Sequence, residues 1–485
     1  MRDNILYFIS FLFLSGSLIA QPDTTWTKTF GGTQNDRAFA LGQTADGGFI
    51  AAGYTASFGA GFEDLWLIRT DGNGDTVWTK TYGGDQYDRG VSVQETSDNG
   101  FIISGYSNSG VPYTNMWLLK TDSNGDTSWV KMFGGGYYDY GSAVQETADG
   151  GFVICGATGS YSVGEYDVWL VKTDSSGNTS WTKTYGDSAM DYGNAVQQTE
   201  DGGYIIAGYT KSYGAGNADF WLIRTTSAGD TLWTKTYGGI NDDMAQSVQQ
   251  TEDGGFIITG LTESFGAGDQ DLWLIKTDAS GDTLWTRTHG GTNRDFGYQV
   301  QQTAEGGYIV AGITRSFGLY GSMDLWLVKT NSEGDTVWTK VMGGQNEDRG
   351  TCVQPLPDHG YIVAGWTYSY GNGFSDLWLI RLEFDPTKIN GELKTRPVSS
   401  FYLGNNYPNP FNPVTTITFE LPVSAHVKFT IYNSLGQKMT TLFDQIMNRG
   451  RHEVIWDAAN YASGTYFYEI RAGEYRSLKK CVLLK

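Results

Sequence analysis

One tryptophan returns at a nearly fixed interval through three quarters of this chain. Trp26, Trp78, Trp129, Trp181, Trp233, Trp285 and Trp338 stand 52, 51, 52, 52, 52 and 53 residues apart. A second series, Trp66, Trp117, Trp169, Trp221, Trp273, Trp326 and Trp378, keeps intervals of 51, 52, 52, 52, 53 and 52. Seven copies of one unit therefore fill residues 24–382, and such a chain has to fold as an array of like pieces. In one copy the strand-length runs are Ala245–Thr251, Gly255–Gly260, Asp271–Thr277 and Thr283–Thr288. Gly, Asp, Asn and Ser break them, and no segment sustains an apolar period of 3.6. Asp253-Gly254-Gly255 supplies the positive φ of a tight hairpin, and Gly281 suits a left-handed residue in a longer turn.

Side-chain character orders the four strands. Leu272 and Leu274 face one way and Trp273 and Ile275 the other, so the third strand needs apolar cover on both faces. Small and polar residues (Ala245, Ser247, Gln249) suit a crowded inner strand, and Trp mixed with Thr and Lys suits an outer one. Four-stranded sheets arranged radially are propeller blades. The array opens on Thr24–Phe30, a fourth strand lacking the other three, and closes on Asp376–Leu382, a third strand lacking a fourth. Joining these two ends leaves no apolar edge at Trp378 open to aggregation. The fold expected is all-β: a seven-bladed β-propeller closed by its N-terminal strand, followed by a small C-terminal β-sandwich.

Composition supports an ordered, exported chain. Aromatics make up 14% of it, too many for disorder. The net charge of −20 leaves nucleic acid without electrostatic support. Cys155, Cys352 and Cys481 have no metal-ligand spacing and make no disulfide framework. An apolar run from Ile5 to Leu14, then Ser-Gly-Ser-Leu-Ile-Ala, reads as a signal peptide over residues 1–20 cut after Ala20, and no later stretch suits a transmembrane span. After Leu382 the composition shifts: residues 24–382 hold three prolines, whereas 397–422 alone hold five. Residues 383–397 read as a linker. Residues 398–485 alternate as short strands, and a sandwich of about seven fits.

The repeat resembles tandem propeller repeats of secreted bacterial proteins. Its Asp-x-x-Gly-Asp-Thr-x-Trp stretch (Asp122 to Trp129) is similar, one residue out of step, to the tryptophan-docking turn of quinoprotein propellers and to the sialidase Asp-box. Both motifs are structural in those families. The tail resembles the type A C-terminal sorting domain of type IX secretion, with an immunoglobulin-like sandwich fold. The resemblance rests on Tyr407-Pro408-Asn409-Pro410-Phe411-Asn412-Pro413, Gly436, Trp456, Gly464 and the terminal Lys479 to Lys485. It implies passage across both membranes, the type IX machinery as a partner, and a protein that is released or held at the surface.

Recurrent acids and aromatics are the candidates for function. Residues 24–382 carry 20 Lys+Arg against 42 Asp+Glu. Asp36, Asp88, Asp139, Asp191, Asp243, Asp295 and Asp348 precede each innermost strand. They read either as an acidic ring able to hold Ca²⁺ or, the favoured reading, as acceptors of backbone N–H groups in their own loops. Asp64, Asn115, Asp167, Asp219, Asp271, Asp324 and Asp376 precede each third strand, and the asparagine argues against a required charge. Phe58, Tyr161, Tyr213, Phe265, Phe317 and Tyr370 lie in loops of one face, as ligand contacts or as wedges between blades, and Ser109-Gly110-Val111-Pro112 breaks their pattern. His289 stands where other copies have Tyr82 or Tyr237, and Cys155 and Cys352 replace small residues. No catalytic constellation emerges, and no cofactor is required unless calcium binds. The expectation is a non-catalytic surface or secreted propeller binding a glycan or protein ligand. The alternatives are a polysaccharide-active or sialidase-like enzyme and a structural surface-layer component.

Overall fold

A computed structural model describes residues 21–383, 401–407, 413–473 and 475–483. Two compact units result, one spanning Thr24–Asp385 and one containing the C-terminal strands. The signal peptide, Ala20, nearly all of the linker, Pro408 to Asn412 and Lys485 lie outside the described residues.

The first unit is all-β: repeated four-stranded antiparallel sheets consistent with propeller blades. Six are continuous, spanning residues 36–82, 88–133, 139–185, 191–237, 243–289 and 295–342, here sheets one to six. Sheet seven joins Asp348–Pro355, Tyr361–Thr367 and Asp376–Leu382 to Thr24–Phe30 from the other end of the array. Among the described residues the only helical turn is the 3-10 segment Leu319–Gly321. Gly254 and Gly281 adopt φ of +80° and +79°, as their turns require.

The two-faced third strand is buried on both sides, as expected. Trp273 and Ile275 share a core with Ile205, Phe220 and Leu222 of sheet four. Leu272 and Leu274 share another with Val310, Trp326 and Val328 of sheet six. First strands lie next to first strands from sheet to sheet, and Asp348–Pro355 lies next to Asp36–Gln43. A one-residue bulge interrupts each first strand, between Ala245 and Ser247 in sheet five. Glutamine amides tie neighbouring sheets: the carbonyl oxygens of Gln145, Gln197 and Gln249 accept from the backbone N–H groups of Gln198, Gln250 and Gln302, each at 2.6 Å.

Outer strands are held by the turn after the third strand of the next sheet. Trp233 packs so closely on Gly281 that a Cβ there would sit 2.8 Å from the indole. Lys235 pairs with Asp282 at 2.8 Å, and Tyr237 Oη donates to the Gly281 carbonyl at 2.5 Å. The glycine-containing Asp-box-like turn is therefore a docking surface for a tryptophan. A second recurrent cation is buried: Lys120, Lys172 and Lys276 cap their own strand's last carbonyl and reach Asp98, Asp149 and Asp253.

In the second unit Tyr402–Tyr407, Val414–Leu421 and Gly450–Asp457 form one sheet. Lys438–Met447, Ala425–Asn433, Gly464–Ala472 and Tyr475–Leu483 form another. Ile417, Phe419 and Leu421 of the first share a core with Val427, Phe429, Ile431 and Tyr468 of the second.

Candidate functional site

The seven recurrent aspartates that open the first strands are fully buried, each 0% exposed. The Asp36 carboxylate accepts from the Thr55 hydroxyl, from Ser57 Oγ at 2.6 Å and from the Gly32 N–H at 2.8 Å. Asp348 repeats the set with Thr367, Ser369 at 2.7 Å and the Gly344 N–H at 2.8 Å. Asp88, Asp139, Asp191, Asp243 and Asp295 likewise accept from a Ser or Thr hydroxyl of the second strand and from a backbone N–H of the preceding loop. Each carboxylate is thus taken up by hydroxyl and N–H donors of its own sheet and loop. The carboxylates point into their own sheets because a buried carboxylate needs several donors, and the loop supplies them. Among the described residues no group of three or more His, Cys, Asp or Glu is placed to hold a metal ion.

The second acidic series lies against the first across each junction between sheets. Gly83 passes between Asp64 and Asp88, and Gly343 between Asp324 and Asp348, so that a Cβ at either would run into both carboxylates. Burial and the neighbouring carboxylate raise the pKa of Asp64, Asp167, Asp219 and Asp271, and push Asp324 and Asp376 up to about 6, with burial the larger cause. Asn115 in sheet two is the neutral version of the same group. Oδ1 of Asn115, Asp167 and Asp376 accepts no hydrogen bond from the described residues.

Six loop aromatics do gather on one edge of the sheets, half in and half out. Phe58, Tyr161, Tyr213, Phe265, Phe317 and Tyr370 are 43–53% exposed. Each lies over the third-strand tryptophan of its own sheet, with centroids 5.6, 5.3, 5.4, 5.1, 5.6 and 5.4 Å apart, at 45–48°. One face is spent on the tryptophan and the other is open. Tyr161, Tyr213 and Tyr370 also donate their hydroxyls to the carbonyls of Gly134, Gly186 and Gly343.

Sequence reasoning missed the most individual feature of this edge. The residue after each recurrent aspartate varies: Arg37, Arg89, Tyr140, Tyr192, Met244, Phe296 and Arg349. In space these positions open an arc of cations and rings. Arg349 lies 5.5 Å from the Trp366 ring, and Arg37 5.0 Å from the same ring and 5.9 Å from Tyr54. Arg89 lies 4.7 Å from Tyr54 and donates to Tyr106 Oη at 3.0 Å. Rings continue the arc through Tyr106, Tyr140, Tyr166, Tyr192 and Tyr209 at centroid separations of 5.2, 6.2, 5.4 and 5.4 Å. Arg89 is paired with Glu63, and Arg349 lies 3.4 Å from Glu347. Arg37 donates to Tyr368 Oη at 2.5 Å and Ser375 Oγ at 3.2 Å and pairs with no carboxylate among the described residues. The signal for this arc was in the sequence: these are the positions where near-identical repeats disagree.

His289 occupies the tyrosine position of its sheet, and burial pushes its pKa down to about 4, so it is neutral. Cys155 and Cys352 are buried, and desolvation raises both thiols, Cys352 to about 12.

In the second unit those expected sorting residues that lie among the described residues hold structural positions. Tyr407 ends a strand, and the Pro413 carbonyl accepts from the Ala458 N–H at 2.8 Å. Gly436 makes a turn at φ +76°, and Gly464 opens the Gly464–Ala472 strand. Trp456 is 1% exposed and meets Tyr461 and Tyr466, while Lys479 lies on the last strand opposite Tyr468. No helix among the described residues is long and apolar enough to cross a membrane.

Comparison with known proteins bears mainly on the tail. Residues 405–484 match the family described as the secretion system C-terminal sorting domain. The regulatory protein FlaEY of Caulobacter vibrioides is 25% identical over 181 residues, which is 33% of this chain and 19% of that protein. PorZ, a bacterial surface component of the type IX secretion system of Porphyromonas gingivalis, superposes with a TM-score of 0.46 at 12% identity, over 94% of this chain and 60% of PorZ. A fungal alcohol oxidase of the AA5 family, in complex with copper, gives 0.46 at 9% identity, over 96% of this chain and all of that one. The chain thus spans under a fifth of its curated relative and about three fifths of PorZ. With its described motif residues seated on strands and turns of the second unit, the chain carries a type IX secretion C-terminal sorting domain at residues 405–484 and is exported, to be secreted or held at the cell surface.

Proposed function

We propose that residues 24–382 form a closed ring of seven blades that binds an extracellular ligand through its arginine–aromatic edge and does no chemistry on it. The C-terminal unit, read as a small immunoglobulin-like sandwich from residue 398 onward, delivers this ring to the type IX machinery after residues 1–20 have directed inner-membrane export. Residues 383–397 join the two.

Closure is supported by the junction of sheets seven and one. Thr24–Phe30 runs beside Asp376–Leu382 with Thr29 opposite Trp378. Ala38, Ala51 and Trp66 of sheet one share a core with Cys352, Leu377 and Leu379 of sheet seven. The Gln354 carbonyl oxygen takes the Gln43 N–H at 2.9 Å, and the Asp36 N–H donates to the Ser375 carbonyl at 2.6 Å.

The observation that carries the binding reading is Arg37. In a chain of net charge −20 it stands among three aromatic rings and, among the described residues, has hydroxyl partners alone. A guanidinium so placed offers paired donors to a carboxylate, and flanking rings stack on the C–H faces of sugars. Of the glycan and protein ligands that such an edge admits, this favours a glycan bearing carboxylates. No metal or other cofactor is needed for this binding. Arginines beside tyrosines and Glu63 are also what sialidase-like catalysis would ask for. Against that reading, Glu63 is committed to Arg89, and burial pushes the Tyr54 phenol up to about 12, far from a nucleophile's range.

A glycan array separates these readings. Saturable binding to uronate- or sialate-bearing glycans, lost in Arg37→Ala and weakened by Phe265→Ala with Phe317→Ala, is the expected result. Silence across the array removes the proposal, and turnover of a chromogenic sialoside or uronide would make the protein an enzyme.

A further inference from the structure

Sheet two lacks the ring that its six sisters keep over their third-strand tryptophan. Gly110 stands in that position, at φ +73°, with open space where a side chain would begin. The loop from Ser107 to Asn115 is also one residue shorter than its counterpart from Thr55 to Asp64. An open groove remains, and Tyr82, Gly83, Gly110, Trp117, Val130 and Met132 are among the residues that line it. Trp117 is buried but slightly more open than the other third-strand tryptophans, at 7% against 2–5%.

The fourth strand has changed to match. Met132 lies opposite Trp117 and Val130 opposite Leu119. Sheets one, three, four and five place threonines at both positions, for example Thr81 opposite Trp66 and Thr79 opposite Ile68. Met132 and Val130 are 39% and 44% exposed. Loss of the internal ring and gain of apolar walls therefore fall on the same slot.

The sister sheets show what such a slot accepts. In sheets three, four and seven the occupant is a phenol whose ring lies on tryptophan at 5.3–5.4 Å, and whose hydroxyl meets a glycine carbonyl at 2.9, 3.2 and 2.6 Å. The glycine at the corresponding place for sheet two is Gly83, which lines the groove. We propose that the slot between sheets one and two is a binding site for a free para-substituted monocyclic phenol, its ring on Trp117 and its hydroxyl donating to the Gly83 carbonyl. This inference is independent of the Arg37 edge and of the glycan reading.

Titration of the whole exported chain with p-cresol by calorimetry tests it. Saturable one-to-one binding, with a Kd on the order of 1 mM or tighter, is expected. 4-Methylanisole, which cannot donate to Gly83, should bind about tenfold more weakly. Replacing Asn108–Thr114 by the Glu263–Gln270 sequence carries a phenylalanine into the slot and should abolish binding. Val130→Thr with Met132→Thr leaves the loop untouched and should weaken binding several-fold, so the proposal stays testable if the loop exchange misfolds. No saturable heat with p-cresol, equal affinity for the anisole, or unchanged binding in the double threonine variant would each overturn it.

Discussion

Sheets two and seven both depart from the repeat, in opposite ways. Sheet seven breaks connectivity and keeps its contacts: Thr24–Phe30 takes the outer place, Tyr370 covers Trp378, and Asp348 holds its full set of donors. Sheet two is continuous in sequence and loses side chains: Gly110 for the ring, Asn115 for the acid, Val130 and Met132 for threonines. The contrast teaches that chain order is replaceable where pairing and packing are preserved. Individuality enters through side chains that the strand framework does not need, and those are the places to look for ligands.

The largest expected effect breaks sheet seven. Deleting Thr24–Phe30 uncovers Leu377, Trp378 and Ile380, and should cost more than Trp26→Ala, which alone should cost about 3 kcal/mol. Calorimetric unfolding reads both, and a deletion variant that melts like the parent would contradict the closed ring. Next comes a buried acid common to both sheets. Asp348→Ala or Asp88→Ala strands two hydroxyls and a backbone N–H, at about 2–4 kcal/mol. Equal losses in the two sheets are expected, because both keep this set.

A smaller effect separates the sheets by pH. Asp376, raised to about 6 when folded, takes up a proton on folding, so its stabilising contribution is full below about pH 4 and is lost as pH rises through 6. The array should be more stable at pH 5 than at pH 7.5. Asp376→Asn with Asp324→Asn should flatten that slope and raise the melting temperature at pH 7.5 by ~1–3 °C. The smallest change is Asn115→Asp, which gives sheet two the acid its sisters have and should steepen the slope slightly. A flat profile from pH 5 to 7.5 in the parent would show that these carboxylates are charged throughout.

Much of this was legible in the sequence because a repeat reports the same environment many times over. Trp273 between two leucines had to be covered on both faces, whatever the fold. The turn glycines Gly254 and Gly281 had to be where φ is positive. The aspartates left two readings open, because recurrence marks a structural need as surely as a functional one. Own-loop acceptance was the favoured reading over a ring, and the positions of Thr55, Ser57 and Gly32 show how Asp36 is consumed at home. The Arg37 edge was overlooked for the converse reason: its residues are few, dissimilar and easily passed over beside a strong pattern.

The sequence alone determined the unit, its strand order, the two incomplete ends and the sorting tail, since periodicity, turn chemistry and local motifs are properties of short segments. Tertiary structure decided which groups meet across a junction: Arg37 with Trp366, Asp376 with Asp36, and the vacancy above Trp117. Residues more than three hundred positions apart become neighbours only after the sheets are stacked, and no local preference of either partner encodes that encounter.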